Sequence, residues 1–190
     1  MHYPNGIKKD FINFYSYSNR GMDLEEDINL TNNYYLENDI AVIYKKPTPI
    51  TINKVNYPSR KDAVITEAHF KTPSTTDYNG IYRGKYIDFE AKETKNVTSF
   101  PLNNIHLHQI THLKRIYNHG GIGFIIVKFS KLNKVYLLFV KDLLNFMDNE
   151  KRKSIPIEYF QKKGYLINEG FNPRLDYLKV IKEELGDFNE

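Results

Sequence analysis

Residues 74–92 read STTDYNGIYRGKYIDFEAK, and they contain the pattern from which the rest of the fold can be inferred. Polar and apolar residues alternate from Tyr86 to Lys92, which is typical of a half-buried β-strand. The apolar residues of this strand would face a core. Its polar residues Asp88, Glu90 and Lys92 would face the opposite way.

Two different turns could precede this strand in a β-hairpin. Asn79-Gly80 is the stronger turn signal, but it would leave Asp77 about eight residues along the strand from Glu90, or roughly 26 Å. A turn at Arg83-Gly84 instead sets Asp77 opposite Glu90, with facing side chains roughly 5 Å apart. We prefer Arg83-Gly84, because only this turn brings the two carboxylates together.

The preferred register collects groups suited to phosphodiester hydrolysis. It also sets Thr75 opposite Lys92, so that both groups point the same way as Asp77 and Glu90. Mg²⁺ is usually held by one or two carboxylates and keeps several waters, which fits the two acids. Lys92 could orient or deprotonate the attacking water and stabilise charge on the phosphate. The alternative is a solvated strand face with cross-strand ion pairs, which is the usual role of such patterns.

A family resemblance extends over nearly the whole chain. It is carried by YPNG at 3–6, NRGM at 19–22, KKPTP at 45–49, STTDYNG at 74–80 and YIDFEAKETK at 86–95. Asp77 followed by Glu90-Ala91-Lys92 matches the split acid-acid-x-lysine signature of the restriction-endonuclease-like superfamily. The five motifs together resemble the RecU family of Holliday junction resolvases.

This resemblance implies a set of site residues. The metal shell of the family maps onto Thr75, Asp77, Glu90 and Gln109, and its transition-state stabiliser maps onto Lys92. The implied cofactor is Mg²⁺, for which Mn²⁺ can substitute. Asp77, Glu90 and Lys92 are therefore the candidate catalytic residues.

Helical periodicity indicates a special role for Gln109 independently of the family resemblance. Apolar residues fall at helical spacing from about Leu102 to Asn118, and Gln109 interrupts their buried stripe. A buried glutamine needs a hydrogen-bond partner, so it is either a core amide bonded to backbone or part of the metal site. His108 and His112 flank it at the i, i+4 spacing of zinc-binding helices. Gln109 stands where such a site needs glutamate, so we expect surface or DNA-facing histidines.

The segment at about 45–72 is too long for an ordinary loop, and it contains three prolines. Without the family it would be an irregular strand pair with exposed basic residues. By resemblance it is a stalk that enters the centre of a four-way junction. Arg60 would then contact phosphate and Phe70 would stack on an opened base step, with further DNA contacts from Lys45, Lys46 and Lys61.

The chain before the stalk is expected to hold an arm, a helix and a strand. Residues 1–18 show no clear periodicity of polar and apolar residues and are predicted to be a flexible arm. Residues 19–190 are predicted to form a single nuclease domain. A helix is predicted from Gly21, with Glu25 in its first turns. By resemblance to the superfamily Glu25 is a candidate for support of the metal site, although capping and solvation are the commoner reasons for an acidic residue there. Ile40–Ile43 is predicted to be the first strand.

Composition agrees with an intracellular DNA-acting protein. The formal net charge of +4 suits a polyanionic partner. The absence of cysteine excludes disulfides and thiolate metal sites, and it is compatible with a reducing cytoplasm. No apolar run approaches the roughly 20 residues of a membrane span. We therefore expect a cytoplasmic protein without a membrane partner.

The sequence predicts an α/β fold of the restriction-endonuclease-like class, with a mixed central sheet flanked by helices and a protruding β-rich stalk. The expected activity is Mg²⁺-dependent resolution of Holliday junctions in recombination and repair. A homodimer is expected, because a four-way junction has approximate two-fold symmetry. The family also implies contact with the strand-exchange recombinase. The alternatives are a restriction-like nuclease acting on duplex or flapped DNA, and a non-catalytic DNA-binding protein.

Overall fold

The computed structural model of the chain describes residues 23–71 and 75–186. The arm predicted for residues 1–18 lies outside the described residues. The helices and strands of the described part are, in chain order, α1 Leu24–Glu37, β1 Val42–Lys45, β2 Ile50–Asn56, β3 Val64–Phe70, β4 Tyr78–Tyr82, β5 Lys85–Thr94, β6 Ser99–Pro101, α2 Leu107–Asn118, β7 Ile122–Phe129, β8 Lys134–Phe139, α3 Val140–Asn149, β9 Ser154–Pro156, α4 Ile157–Lys163, β10 Tyr165–Ile167 and α5 Tyr177–Leu185.

Six of these strands form the main sheet, in the order β1-β4-β5-β7-β8-β10. β5 and β7 run parallel, whereas the other neighbouring pairs are antiparallel. Two parallel strands need a crossover connection, and α2 lies in the one between β5 and β7. The sheet is therefore mixed, as the sequence predicted.

Helices cover both faces of this sheet. Alternate residues of β7 divide between two buried apolar clusters, because successive side chains of a strand point to opposite faces. Phe124 and Ile126 join the cluster that contains residues of α1 and α5. Ile125 and Val127 join the cluster that contains residues of α2, α3 and α4. This arrangement confirms the helix-flanked mixed sheet that was predicted for a restriction-endonuclease-like chain.

The hairpin turn lies at Arg83-Gly84, as the preferred register required. Tyr82 pairs with Lys85, and Arg83 and Gly84 both have left-handed φ angles, of 46° and 74°. Such angles are typical of the two-residue turns that match strand twist. The stronger sequence signal, Asn79-Gly80, lies inside β4 instead.

Gly80 has a packing role that explains its presence in a strand. It pairs with Ile43 of β1, and a Cβ added to it would lie 2.1 Å from the carbonyl oxygen of Val42. No side chain fits at that distance, so only glycine allows β1 to approach β4 this closely.

Strand β5 differs from its prediction in one respect. Asp88 and Glu90 are both 0% exposed, because α2 covers their face and brings Gln109 and His112 against them. The prediction of a half-buried strand is therefore wrong. Alternation reports which face is apolar, but it does not report whether a helix covers the polar face.

Two other elements have bounds that differ from the predicted ones. The first strand is Val42–Lys45 and not Ile40–Ile43, because the chain is still turning after α1 at Asp39, whose φ is 56°. The predicted helix over 102–118 begins only at Leu107, after a separate 3-10 turn.

β2 and β3 form a separate two-stranded sheet outside the main one. Every residue of these two strands is exposed except Thr51, which is partly covered. A protruding β-rich segment is thus confirmed, with β2 and β3 as its body; we call 46–71 the stalk from here on. Lys45, placed in the stalk by the sequence, pairs with Tyr78 in the main sheet.

None of the helices in the described part of the chain has the length and apolar character that a membrane crossing requires.

Candidate active site

The β4–β5 hairpin holds Asp77 and Glu90 against each other. The backbone N–H of Asp77 donates to Oε2 of Glu90 at 3.2 Å. The backbone N–H of Ala91 donates to Oδ2 of Asp77 at 3.3 Å. These reciprocal bonds fix both carboxylates on the same side of the sheet, where the register placed them.

Glu90 is fully buried among polar groups from two elements. Its Oε1 accepts a hydrogen bond from Nε2 of Gln109 at 2.6 Å and lies 2.5 Å from Nζ of Lys92. Burial raises the pKa of Glu90 to about 7, and the neighbouring charge of Asp77 adds to this rise while Lys92 opposes it. The surroundings of Glu90 and Asp77 therefore stabilise two ionised carboxylates incompletely.

This imbalance fits a divalent cation. A hard cation beside Asp77 and Glu90 would stabilise both ionised carboxylates, and oxygen donors are what Mg²⁺ prefers. Among the described residues, no three or more His, Cys, Asp or Glu side chains are grouped so that they could hold a metal ion together. Two carboxylates are sufficient for Mg²⁺, since it keeps several of its waters for contact with phosphate.

Gln109 lies where the sequence placed it, but its amide has a specific orientation. Its Oε1 accepts from the backbone N–H of His106 at 2.9 Å, which closes a capping box at the start of α2. Its Nε2 is directed at Glu90. As observed, Gln109 orients Glu90. Direct ligation of a metal through Oε1 would require the amide to rotate and the cap to open.

The other two candidates for the metal site are Thr75 and Glu25. Thr75 is partly exposed and is the first described residue after 72–74. Glu25 lies in the first turn of α1, where its carboxylate pairs with Lys45. The roles predicted for Thr75 and Glu25 stay predictions.

The sequence analysis placed Asp88 on the polar face of β5 but gave it no role, and the structure buries it. Asp88 accepts hydrogen bonds from Thr76 and Tyr86 and lies beside Lys46 and His112. The signal was available, since Asp88 shares a strand face with Glu90 and Lys92. A helix over that face requires every charge on it to have a partner.

Two residues named by the sequence analysis lie in this cluster. Nε2 of His112, expected at the surface or facing DNA, lies 3.1 Å from Oδ2 of Asp88, and its side chain is 22% exposed. The ammonium of Lys46 lies 2.8 Å from the same oxygen, and its predicted contact with DNA stays a prediction. In both cases the buried carboxylate attracts the donor inward.

The remaining DNA-contact candidates lie on or beside the stalk. Arg60 and Lys61 are exposed at its tip, between β2 and β3. Phe70 ends β3 and is 78% exposed. From Val64 to Phe70 the strand covers roughly 20 Å, so tip and base can contact different parts of one DNA substrate.

An acidic pair beside a lysine, on the central hairpin of a mixed sheet flanked by helices, is typical of nucleases of the restriction-endonuclease-like class. Comparison with known proteins specifies the family. The family model described as Recombination protein U matches residues 19–183. The chain belongs to the RecU family.

Curated relatives agree with that assignment. The chain is 52% identical over 192 residues to "Holliday junction resolvase RecU" of Bacillus cereus strain B4264, with 95% of this chain and 96% of the relative covered. The protein of the same name from Bacillus anthracis strain CDC 684 matches with the same identity and coverage. A solved structure of Hjc, a Holliday junction resolvase from Archaeoglobus fulgidus, is 12% identical with a TM-score of 0.39, over 70% of this chain and 92% of that one. The assignment rests on the sequence matches.

Proposed function

We propose that this chain is a structure-selective endonuclease that resolves Holliday junctions by paired Mg²⁺-dependent cuts in DNA recombination and repair. The observation that carries the proposal is the pairing of Asp77 with buried Glu90 beside Lys92. Membership of the RecU family supports the substrate, because relatives with 52% identity are named Holliday junction resolvases.

The chemistry follows from the three groups. Asp77 and Glu90 would hold Mg²⁺, or Mn²⁺ in its place, with Thr75 and Gln109 as predicted further contacts. When bound, the cation supplies a Lewis acid for the scissile phosphate and a site for water. The ammonium of Lys92, held 2.5 Å from Glu90, would stabilise negative charge that builds on the phosphate during attack. Gln109 keeps Glu90 in place.

The exposed stalk is the feature that favours a branched DNA substrate over a linear duplex. Its strands bury almost nothing within the chain, so their exposed side chains are available to a partner. A four-way junction has a central opening that linear duplex lacks, and a narrow hairpin with Arg60 and Lys61 at its tip suits that opening. We assign the stalk to junction recognition and Phe70 to contact with exposed bases.

A homodimer would supply the paired cuts. Each chain contributes one acidic pair, and resolution needs cuts in two strands of like polarity. A two-fold symmetric dimer matches the approximate two-fold symmetry of the junction. We also propose a cytoplasmic location and contact with the strand-exchange recombinase, both of which the family resemblance supports.

Cleavage of three substrates by wild type and two variants tests the proposal. The substrates are a four-way junction, a linear duplex and a flapped duplex of matched length, with Mg²⁺ or Mn²⁺. We expect paired cuts in the junction, no cutting by Asp77→Ala, and junction binding by that variant close to wild type. Asp148→Ala, which removes an exposed carboxylate from α3, is the control and should cut normally.

Each other outcome identifies an alternative. Equal cutting of duplex or flap would indicate a restriction-like nuclease with another role for the stalk. Binding without cutting by the wild type, in either metal, would indicate a non-catalytic DNA-binding protein. Metal-dependent cutting by Asp77→Ala would show that the metal site is wrongly assigned.

A further inference from the structure

Asp88 is a buried carboxylate outside the proposed metal site. It is 0% exposed, and its Oδ2 lies 2.8 Å from Nζ of Lys46, 3.0 Å from the hydroxyl of Tyr86 and 3.1 Å from Nε2 of His112. Its Oδ1 accepts a hydrogen bond from the hydroxyl of Thr76. Lys46 also donates to Thr76 at 2.9 Å. Both oxygens of Asp88 are therefore engaged by donors from its own chain.

These donors come from four separate places in the fold. Lys46 follows β1 where the chain enters the stalk, and Thr76 lies where the chain returns from it. Tyr86 is on the same strand as Asp88, and His112 is on α2. A single buried carboxylate thus connects both ends of the stalk to the central strand of the sheet and to the covering helix.

The same connections lead to the metal site. Thr76 is the residue between Thr75 and Asp77, so a bond that fixes Thr76 limits where Asp77 can lie. The backbone N–H of Lys46 donates to the carbonyl of Asp77 at 2.7 Å, which fixes the same segment from the other side. His112 lies one turn after Gln109, whose amide holds Glu90.

Asp88 is close to the acidic pair without being part of it. It precedes Glu90 by two residues on the same strand face, a separation of roughly 7 Å. Its two oxygens contact four side-chain donors, among them the ammonium of Lys46, whereas Glu90 lies against a second acidic residue, Asp77. The contacts of Asp88 suit a group that holds others in place.

We propose that Asp88 is a positioning residue, which fixes the Thr75–Asp77 segment and the two ends of the stalk relative to the catalytic strand. This inference rests on the proposed function, because it assigns Asp77 to the metal. Lys46 acts here as the partner of Asp88 and not as a DNA contact. The geometry needed to bind the cation and the position of the stalk relative to the sheet then both depend on the ion pair between Lys46 and Asp88.

Thr76 offers the sharpest test, since two near-isosteric changes separate the bond from the packing. Thr76→Val keeps the shape and removes the hydroxyl, whereas Thr76→Ser keeps the hydroxyl. We expect Thr76→Val to weaken Mg²⁺ binding by the DNA-free protein at least about tenfold, because the hydroxyl makes bonds to both Asp88 and Lys46 and loss of one buried bond to a charged group is worth about that factor. Thr76→Ser should bind Mg²⁺ like wild type. Calorimetric titration measures both without any cleavage.

Asp88→Asn should act in the same direction as Thr76→Val. We expect a higher Mg²⁺ concentration for half-maximal junction cleavage, by about tenfold, and junction affinity without Mg²⁺ within about threefold of wild type. Asp27→Asn is the matched control. Asp27 is 2% exposed and pairs with Arg174 at 2.9 Å, so this variant removes an equally buried charge. It should lower the melting temperature and leave Mg²⁺ binding unchanged.

A double-mutant cycle tests the role of Lys46. If Lys46 and Asp88 act as a pair, Lys46→Met with Asp88→Asn should cost no more in Mg²⁺ affinity than either change alone. If Lys46 contacts DNA instead, Lys46→Met should weaken junction binding while Mg²⁺ affinity stays the same, and this part of the inference is overturned.

Other outcomes overturn the central claim. Wild-type Mg²⁺ binding by both Thr76→Val and Asp88→Asn would show that the cluster is only structural. So would an equal loss in Thr76→Val and Thr76→Ser, or an equal loss in Asp27→Asn. If Asp88→Asn fails to fold, the Thr76 pair decides. Failure of the wild type to cut junctions would refute the proposed function instead, a result distinct from all of these.

Discussion

Nε2 of Gln109 lies 2.6 Å from Oε1 of Glu90, and this contact joins helix α2 to strand β5 at the proposed active site. The same glutamine accepts the N–H of His106 through its other amide atom. One side chain therefore begins the helix and orients the carboxylate. A substitution that removes the amide of Gln109 should therefore affect both the stability of the helix and cleavage.

Gln109→Leu should retain the fold, because leucine suits the apolar stripe of α2, but it should cleave poorly. The capping bond to His106 is lost, which should lower the free energy of unfolding by about 1 kcal/mol. Glu90 also loses its amide donor. Thermal melting and single-turnover cleavage on one sample measure both effects. Normal cleavage by the variant would make Gln109 a core amide with no part in the site.

Lys92→Ala should stop or greatly slow junction cleavage while Mg²⁺ affinity stays similar or rises. The ammonium stabilises charge on the phosphate, and its removal takes a cation away from the vicinity of the metal. Because Lys92 lowers the pKa of Glu90, its removal should raise that pKa. The Mg²⁺ titration should therefore be run well above pH 7, where protons compete little with Mg²⁺ for Glu90. Weaker Mg²⁺ binding in calorimetry at that pH would instead make Lys92 a structural residue.

Glu90→Gln should stabilise the metal-free protein at neutral and higher pH. The pKa of Glu90 is raised in the fold from 4.5 to about 7, so the folded state favours the protonated form. Its favourable contribution is complete below pH 4.5 and is lost as the pH rises to about 7. Above that pH the ionised carboxylate costs on the order of 3 kcal/mol, which glutamine avoids.

Chemical denaturation of both proteins in a chelator, from pH 4.5 to pH 8, measures this difference. The gap in unfolding free energy should grow through that range and then level off. Saturating Mg²⁺ should reverse the order, because it stabilises only the protein that retains both carboxylates. A gap that does not change with pH would show that Glu90 has an ordinary pKa.

Arg60→Ala and Phe70→Ala should each lower affinity for the junction and leave weak duplex binding nearly unchanged. Both residues are exposed on the stalk, at its tip and at its base. Gel shifts of junction and duplex of equal length, at low and high salt, measure the effect. Lys179→Ala removes an exposed charge from α5 and is the control for net charge. An equal loss on both substrates would reduce the stalk to a general phosphate-binding surface.

Local sequence determined most of the catalytic hairpin. Alternation from Tyr86 to Lys92 gave the faces of β5, and the requirement that Asp77 meet Glu90 selected the turn at Arg83-Gly84 over a stronger turn signal. These are short-range relations within one hairpin, where register follows from turn position alone. Gln109 was likewise reached from helical periodicity, which also depends only on neighbours.

What only the tertiary structure decided was the environment of that hairpin. No local pattern shows that α2 packs over the polar face of β5, yet this packing buries Glu90, raises its pKa and encloses Asp88. Lys46 is 42 residues from Asp88 in sequence, so their contact depends on how β1 and the stalk close onto the sheet. Burial and charge pairing are properties of the assembled chain, because they depend on which distant segments exclude water from a given side chain.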